Sequence, residues 1–112
     1  MLPITIICDI DGTLVYHNDI ISKMMVIPGA IAKLIEWQKM GYNLILITGR
    51  RESMRKVTEE QLTHVGIAYD QLIMGIGPGP RYLINDRKED SQEETAFAIN
   101  LIRDEGISKV EV

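Results

Sequence analysis

Residues 4–13 read ITIICDIDGT. The part from 4 to 10, ITIICDI, is a nearly continuous β-branched run. That is the pattern of a central parallel strand buried on both faces. It ends on two aspartates, Asp9 and Asp11, followed at once by Gly12 and Thr13. Residues i and i+2 of a strand point to one side, so the two carboxyls approach each other as the strand runs out. Two carboxylates this close are not both comfortably ionised without a cation. Gly12 permits the sharp turn that must follow.

Working outward, the rest of the chain supplies the partners of that strand. Residues 12–27 (GTLVYHNDIISKMMVI) read as a turn and a hairpin flap, about 13–27, with His17, Asn18 and Asp19 at its tip. Residues 28–40 read as a helix, with Pro28 in its first turn and Gly41 at its stop. Ala30, Ile31, Leu34, Ile35 and Gln38 make its packing face. Residues 43–48 (NLILIT) are a second buried strand ended by Gly49-Arg50, and 52–65 a second helix ended by Gly66. Residues 69–74 are a third strand, and 82–85 (YLIN) a short fourth strand with Asp86 at its tip. Residues 95–102 alternate well enough for a strand but also suit a helix; the short polar run before them favours the strand. Residues 107–112 are an edge strand or a tail.

Strand and helix alternate, which predicts an α/β domain with a mostly parallel sheet. In such sheets ligands bind beyond the carboxyl ends of the strands. The endings to read are therefore Asp9-Ile10-Asp11, Thr48-Gly49-Arg50 and Asn85-Asp86. Hard oxygen ligands from Asp9, Asp11 and Asp86 suit Mg²⁺, which keeps some waters and accepts a phosphate oxygen. The hydroxyl of Thr48, the bare N–H of Gly49 and the fork of Arg50 fit phosphoryl oxygens.

The bulk numbers bound the rest. A chain of 112 residues suits one domain, 1–112. A net charge of -4 argues against a strong electrostatic grip on nucleic acid or an anionic membrane. The lone Cys8 excludes an internal disulfide, and the apolar N-terminal run is too short to span a membrane. A cytoplasmic location is the default expectation, and the modest core makes a homo-oligomer a possible state.

The motifs DIDGT, LITGR and LIND, in that order, resemble those of the haloacid dehalogenase (HAD) superfamily of phosphohydrolases, from about Ile4 to about Leu101. Within it, TGR and NDR resemble the endings of the phosphatase domain of phage polynucleotide kinase. The resemblance implies a three-layer Rossmann-like fold and assigns roles. Asp9 is then the nucleophile that becomes an aspartyl-phosphate. Asp11 is the general acid and base. Thr48, Gly49 and Arg50 bind the transferring phosphoryl, with Gly12 and Thr13 beside it. The Asp9 carboxylate, the Asp11 main-chain carbonyl and Asp86 hold Mg²⁺.

Two departures from the family pattern stand out. The family expects a lysine, sometimes an arginine, between the second and fourth motifs, and no lysine sits just before the fourth strand; Arg81 is the cation best placed by sequence and Lys56 the runner-up. Asn85 stands where many relatives carry a second acid. No gap is long enough for a cap domain, so the site is open, to a bulky substrate such as a nucleic-acid end or to a small phosphate. The implied function is a Mg²⁺-dependent phosphomonoesterase, of the polynucleotide 3′-phosphatase or sugar/nucleotide phosphatase kind. The competing reading is a catalytically weak relative that binds a phosphorylated ligand or partner. A receiver-like signalling domain ranks last, because its phosphoacceptor lies on a later strand.

Overall fold

The computed structural model describes residues 3–18 and 23–112. Its sheet has three parallel strands in the order β1-β2-β3: β1 Thr5–Asp9, β2 Asn43–Ile47 and β3 Gln71–Ile73. Two helices connect them, α1 Ala30–Lys39 and α2 Arg55–Val65, the latter entered through a 3₁₀ turn at Glu52–Met54. Cys8 lies opposite Leu46, and Leu46 opposite Leu72. Asp9 is level with Ile47, which brings the first two polar endings side by side. Ladder-like bonds run one step past each strand, from Ile10 N–H to the Ile47 carbonyl (3.1 Å) and from Thr48 N–H to that of Ile73 (3.0 Å).

Burial separates the two faces of the sheet. Cys8, Ile10, Leu44, Leu46 and Leu72 are buried, together with Ala30, Leu34 and Trp37 of α1 and Leu62 of α2. On the opposite face Ile7 and Ile73 are exposed. The described residues thus build a sheet and one helical layer, without a regular third layer. Of the expected α1 face, Ala30 and Leu34 are buried and Ile31 packs against the core, while Ile35 and Gln38 are exposed and Trp37 is buried instead. The bulky Trp37 takes up the buried position one turn on from Leu34.

Two expected strands are absent. Residues 82–85 form no strand, and Tyr82 and Ile84 are almost fully exposed. Pro78 and Pro80 lead into them, and proline lacks the N–H a ladder needs. Residues 95–102 are neither strand nor helix, with Phe97 largely exposed. Alternation specifies which side chains would share a face, but a strand forms only where a ladder partner is in reach. Residues 107–112 form no edge strand either.

Instead, the C-terminal segment returns to the first loop. The Asp104 N–H donates to the Gly12 carbonyl (2.8 Å), and its side chain accepts from the His17 N–H (2.7 Å). Ile107 is buried in the core. The flap is a hairpin base, with Val15 bridged antiparallel to Val26 and the Asn18 side chain bonded to the Lys23 carbonyl (3.0 Å). Asp19, expected at its tip, lies outside the described residues.

Candidate active site

The loop after β1 is wound around a single acceptor. The N–H groups of Thr13, Leu14 and Val15 all converge on the Ile10 carbonyl, at 2.9 to 3.2 Å. Gly12 makes this possible with φ +86, a conformation L side chains rarely adopt, and an added Cβ would press on Arg103 Cγ at 3.3 Å. The turn carries Thr13 back over the strand end, where its hydroxyl donates to Asp9 Oδ2 (3.2 Å).

Asp9 therefore stands at the mouth of β1 with both oxygens addressed. Oδ1 faces Arg81 Nη1 at 3.5 Å. Burial pushes its carboxyl above the ordinary aspartate range; the Arg81 charge and the Thr13 hydrogen bond pull it back, and the nearby charge of Asp11 adds to the rise. Lys56 lies on the exposed surface of α2, in a shallow groove with Glu59, Glu60, Thr63 and His64.

Asp11 has a different partner set. Arg50 clamps it from the end of β2: Nη2 donates to Oδ1 (2.9 Å) and Nε to Oδ2 (3.3 Å). The fully buried Thr48 adds its hydroxyl to Oδ2 (2.9 Å) and accepts the Arg50 N–H (3.2 Å). Arg50 is itself held from α2, its Nη1 donating to Gln61 Oε1 (2.8 Å) and Thr58 Oγ1 (3.2 Å). Of the three residues that resemblance assigns to phosphoryl binding, Thr48 and Arg50 are thus engaged with Asp11 in this structure. Gly49 approaches the chain after β3, and a Cβ there would meet the Ile76 carbonyl at 3.1 Å.

Asp86 does not join Asp9 and Asp11. It lies exposed in the irregular segment, where its carbonyl accepts the Thr95 hydroxyl. Among the described residues no group of three or more His, Cys, Asp or Glu is placed to hold a metal ion. Asp86, the expected third ligand of the Mg²⁺ set, thus stands apart from Asp9 and Asp11 here, in a segment that forms no fourth strand to present it. The Asp9 carboxylate and the Asp11 main-chain carbonyl, at one strand end, remain hard oxygen donors of the kind Mg²⁺ takes when waters and a substrate phosphate complete its shell.

Thr58 and Gln61 escaped the sequence reading. The available signal was two polar residues three apart on α2, next to the core residue Leu62.

The family model described as PITM 1-3, LNS2 domain matches residues 6–107. The chain belongs to this LNS2 family. No curated protein matches it. A solved structure, D,D-heptose 1.7-bisphosphate phosphatase from B. bronchiseptica complexed with magnesium and phosphate, is similar with a TM-score of 0.50 and 17% identity. The match covers 67% of this chain and 51% of that one, so the LNS2 chain spans about half the length of this neighbour. At that identity the likeness speaks for the fold: a HAD-like, Rossmann-like α/β domain, here without a cap. Among the described residues, no helix is long and apolar enough to cross a membrane.

Proposed function

We propose that this LNS2-family chain is a Mg²⁺-dependent phosphomonoester hydrolase working through Asp9. The observation that carries the reading is the strand end itself. An aspartate carboxylate, bonded by Thr13 and facing Arg81, stands two residues from a second carboxylate that is clamped in place.

The chemistry follows from those positions. An Asp9 oxygen attacks the phosphorus of the monoester, and the bond to the alcohol oxygen breaks as Asp11 supplies its proton. Water then attacks the aspartyl-phosphate, its proton passes to Asp11, and Asp9 is regenerated as phosphate leaves. Arg81 sets positive charge beside the anionic nucleophile and the anionic substrate. Bound by the Asp9 carboxylate and the Asp11 carbonyl, Mg²⁺ would supply further charge neutralisation to the phosphoryl oxygens.

The test is hydrolysis of para-nitrophenyl phosphate with Mg²⁺ or EDTA. Wild type should turn over only with the metal, and Asp9→Asn should abolish turnover. Arg81→Ala should lower the rate by about 100-fold, the usual loss for one charge-stabilising group. Turnover by Asp9→Asn at the wild-type rate would refute the mechanism. A panel of 3′-phosphorylated oligonucleotides, nucleotides and sugar phosphates then separates the polynucleotide-phosphatase kind from the small-molecule kind.

One observation favours the second reading, a protein that binds a phosphorylated ligand without turnover: Asp86 is not gathered with the pair. On that reading wild type is inert across the whole panel, yet binds one of its members with an affinity that Arg81→Ala weakens.

A further inference from the structure

Asp11 is not held by the strand end alone. Its carboxylate is gripped by Arg50, which is gripped by Thr58 and Gln61, one helix away from the two strand ends. The geometry points to Thr58 and Gln61 as positioning residues that act through Arg50 to aim Asp11 at the water that clears the aspartyl-phosphate. This rests on the phosphatase reading above and assigns a step within it.

The argument is geometric. A guanidinium is planar, with its N–H groups in a fixed fork. Binding Asp11 through Nε and Nη2 uses one edge of that plane. The remaining terminal nitrogen, Nη1, carries two hydrogens, and each has its own acceptor, Gln61 Oε1 and Thr58 Oγ1. Contacts on opposite sides of the group fix the rotation of the plane, which a single ion pair leaves loose. Thr58 is fully buried and the Arg50 side chain only 13% exposed, so these bonds are made where water competes little. Thr48 then fixes Oδ2 from a third direction.

A carboxylate paired this way is a proton acceptor of fixed orientation. In the clearing step, water oxygen forms a bond to phosphorus and one water proton moves to Asp11. The bond from phosphorus to the Asp9 oxygen breaks, with its electron pair returning to Asp9. A nitrophenolate leaving group needs little protonation, so the first step with para-nitrophenyl phosphate depends weakly on the aim of Asp11. The clearing step depends on it strongly.

The experiment is steady-state and rapid-mix kinetics on para-nitrophenyl phosphate with wild type, Thr58→Val, Thr58→Ser and Gln61→Met. Thr58→Val and Gln61→Met should lower kcat by about 10- to 100-fold, the cost of misplacing a catalytic group. KM should fall in the same proportion, leaving kcat/KM unchanged, and nitrophenolate should appear in a burst equal to the enzyme present. Thr58→Ser keeps the hydroxyl and should restore the wild-type pattern. A fall in kcat at constant KM without a burst, or no change, would overturn the inference, since lost folded enzyme gives the first result and an idle contact the second. If wild type releases no nitrophenolate and binds phosphorylated ligand only, the phosphatase reading fails and this inference with it.

Discussion

Asp9 ends β1 and Asp11 follows two residues on, yet their surroundings differ. Asp9 meets a hydroxyl and a half-exposed arginine, while Asp11 meets a buried hydroxyl and an arginine held on its far side. On the function proposed above, the divergence fits a nucleophile open to substrate and a proton carrier held still. The residue between strand core and site, Cys8, is different again. Burial, with a smaller contribution from the Asp9 charge, pushes its thiol up to about 12. Only the thiolate reacts, so iodoacetamide at pH 8 should leave Cys8 unmodified in the native protein and alkylate it in denaturant. The sign for stability is also set. The unfolded thiol ionises near 9.0 and the folded one near 12, so its contribution is intact below pH 9 and is lost as pH rises to 12. Cys8→Ala should flatten that alkaline decline in chemical unfolding curves.

Helix α2 serves both the core and the site. Leu62 is fully buried against the sheet, and Gln61 and Thr58 beside it reach Arg50. Gly66 stops the helix in the left-handed region, and the Ile67 N–H closes on the Leu62 carbonyl (2.9 Å). Leu62→Ala should cost about 2–5 kcal/mol by denaturant melting, the range for a buried leucine. Its kcat should fall as well, because a loosened α2 shifts the acceptors that hold Arg50. The helices and first three strands were legible because each carries a long periodic or continuous apolar run with a glycine or proline boundary, as at Gly41 and Gly66. The Thr58–Gln61 clamp was not, because a polar pair on a helix looks the same whether it faces solvent or an arginine.

The chain is closed by its C-terminal segment, which seals the motif loop rather than extending the sheet. Gly106 sits at φ +87, and a Cβ there would fall 2.6 Å from Ile27 Cγ2 at the base of the flap. Gly106→Ala should therefore destabilise by about 1–3 kcal/mol, as overpacking does, and more if the backbone resists. Because Asp104 beside it holds the Gly12 carbonyl and the His17 N–H, hydrogen exchange in the loop after β1 should accelerate in the same variant.

Local pattern was enough to place Asp9 and Asp11 at a strand end, to make the sheet parallel and to put Thr48 and Arg50 at the adjacent ending. Strand periodicity, β-branching and punctuating glycines act within a few residues, and the rules of α/β connection do the rest. What these rules do not contain is distance across the chain. Asp86 was expected at the site because YLIN looks like a strand, but a strand exists only with a ladder partner, and residues 82–85, just after Arg81, pair with none. That Arg81 meets Asp9, that Arg50 turns to Asp11, and that residues 104–107 close over Gly12 are outcomes of long-range packing. Such contacts depend on where separately specified elements come to rest, and only the tertiary structure states that.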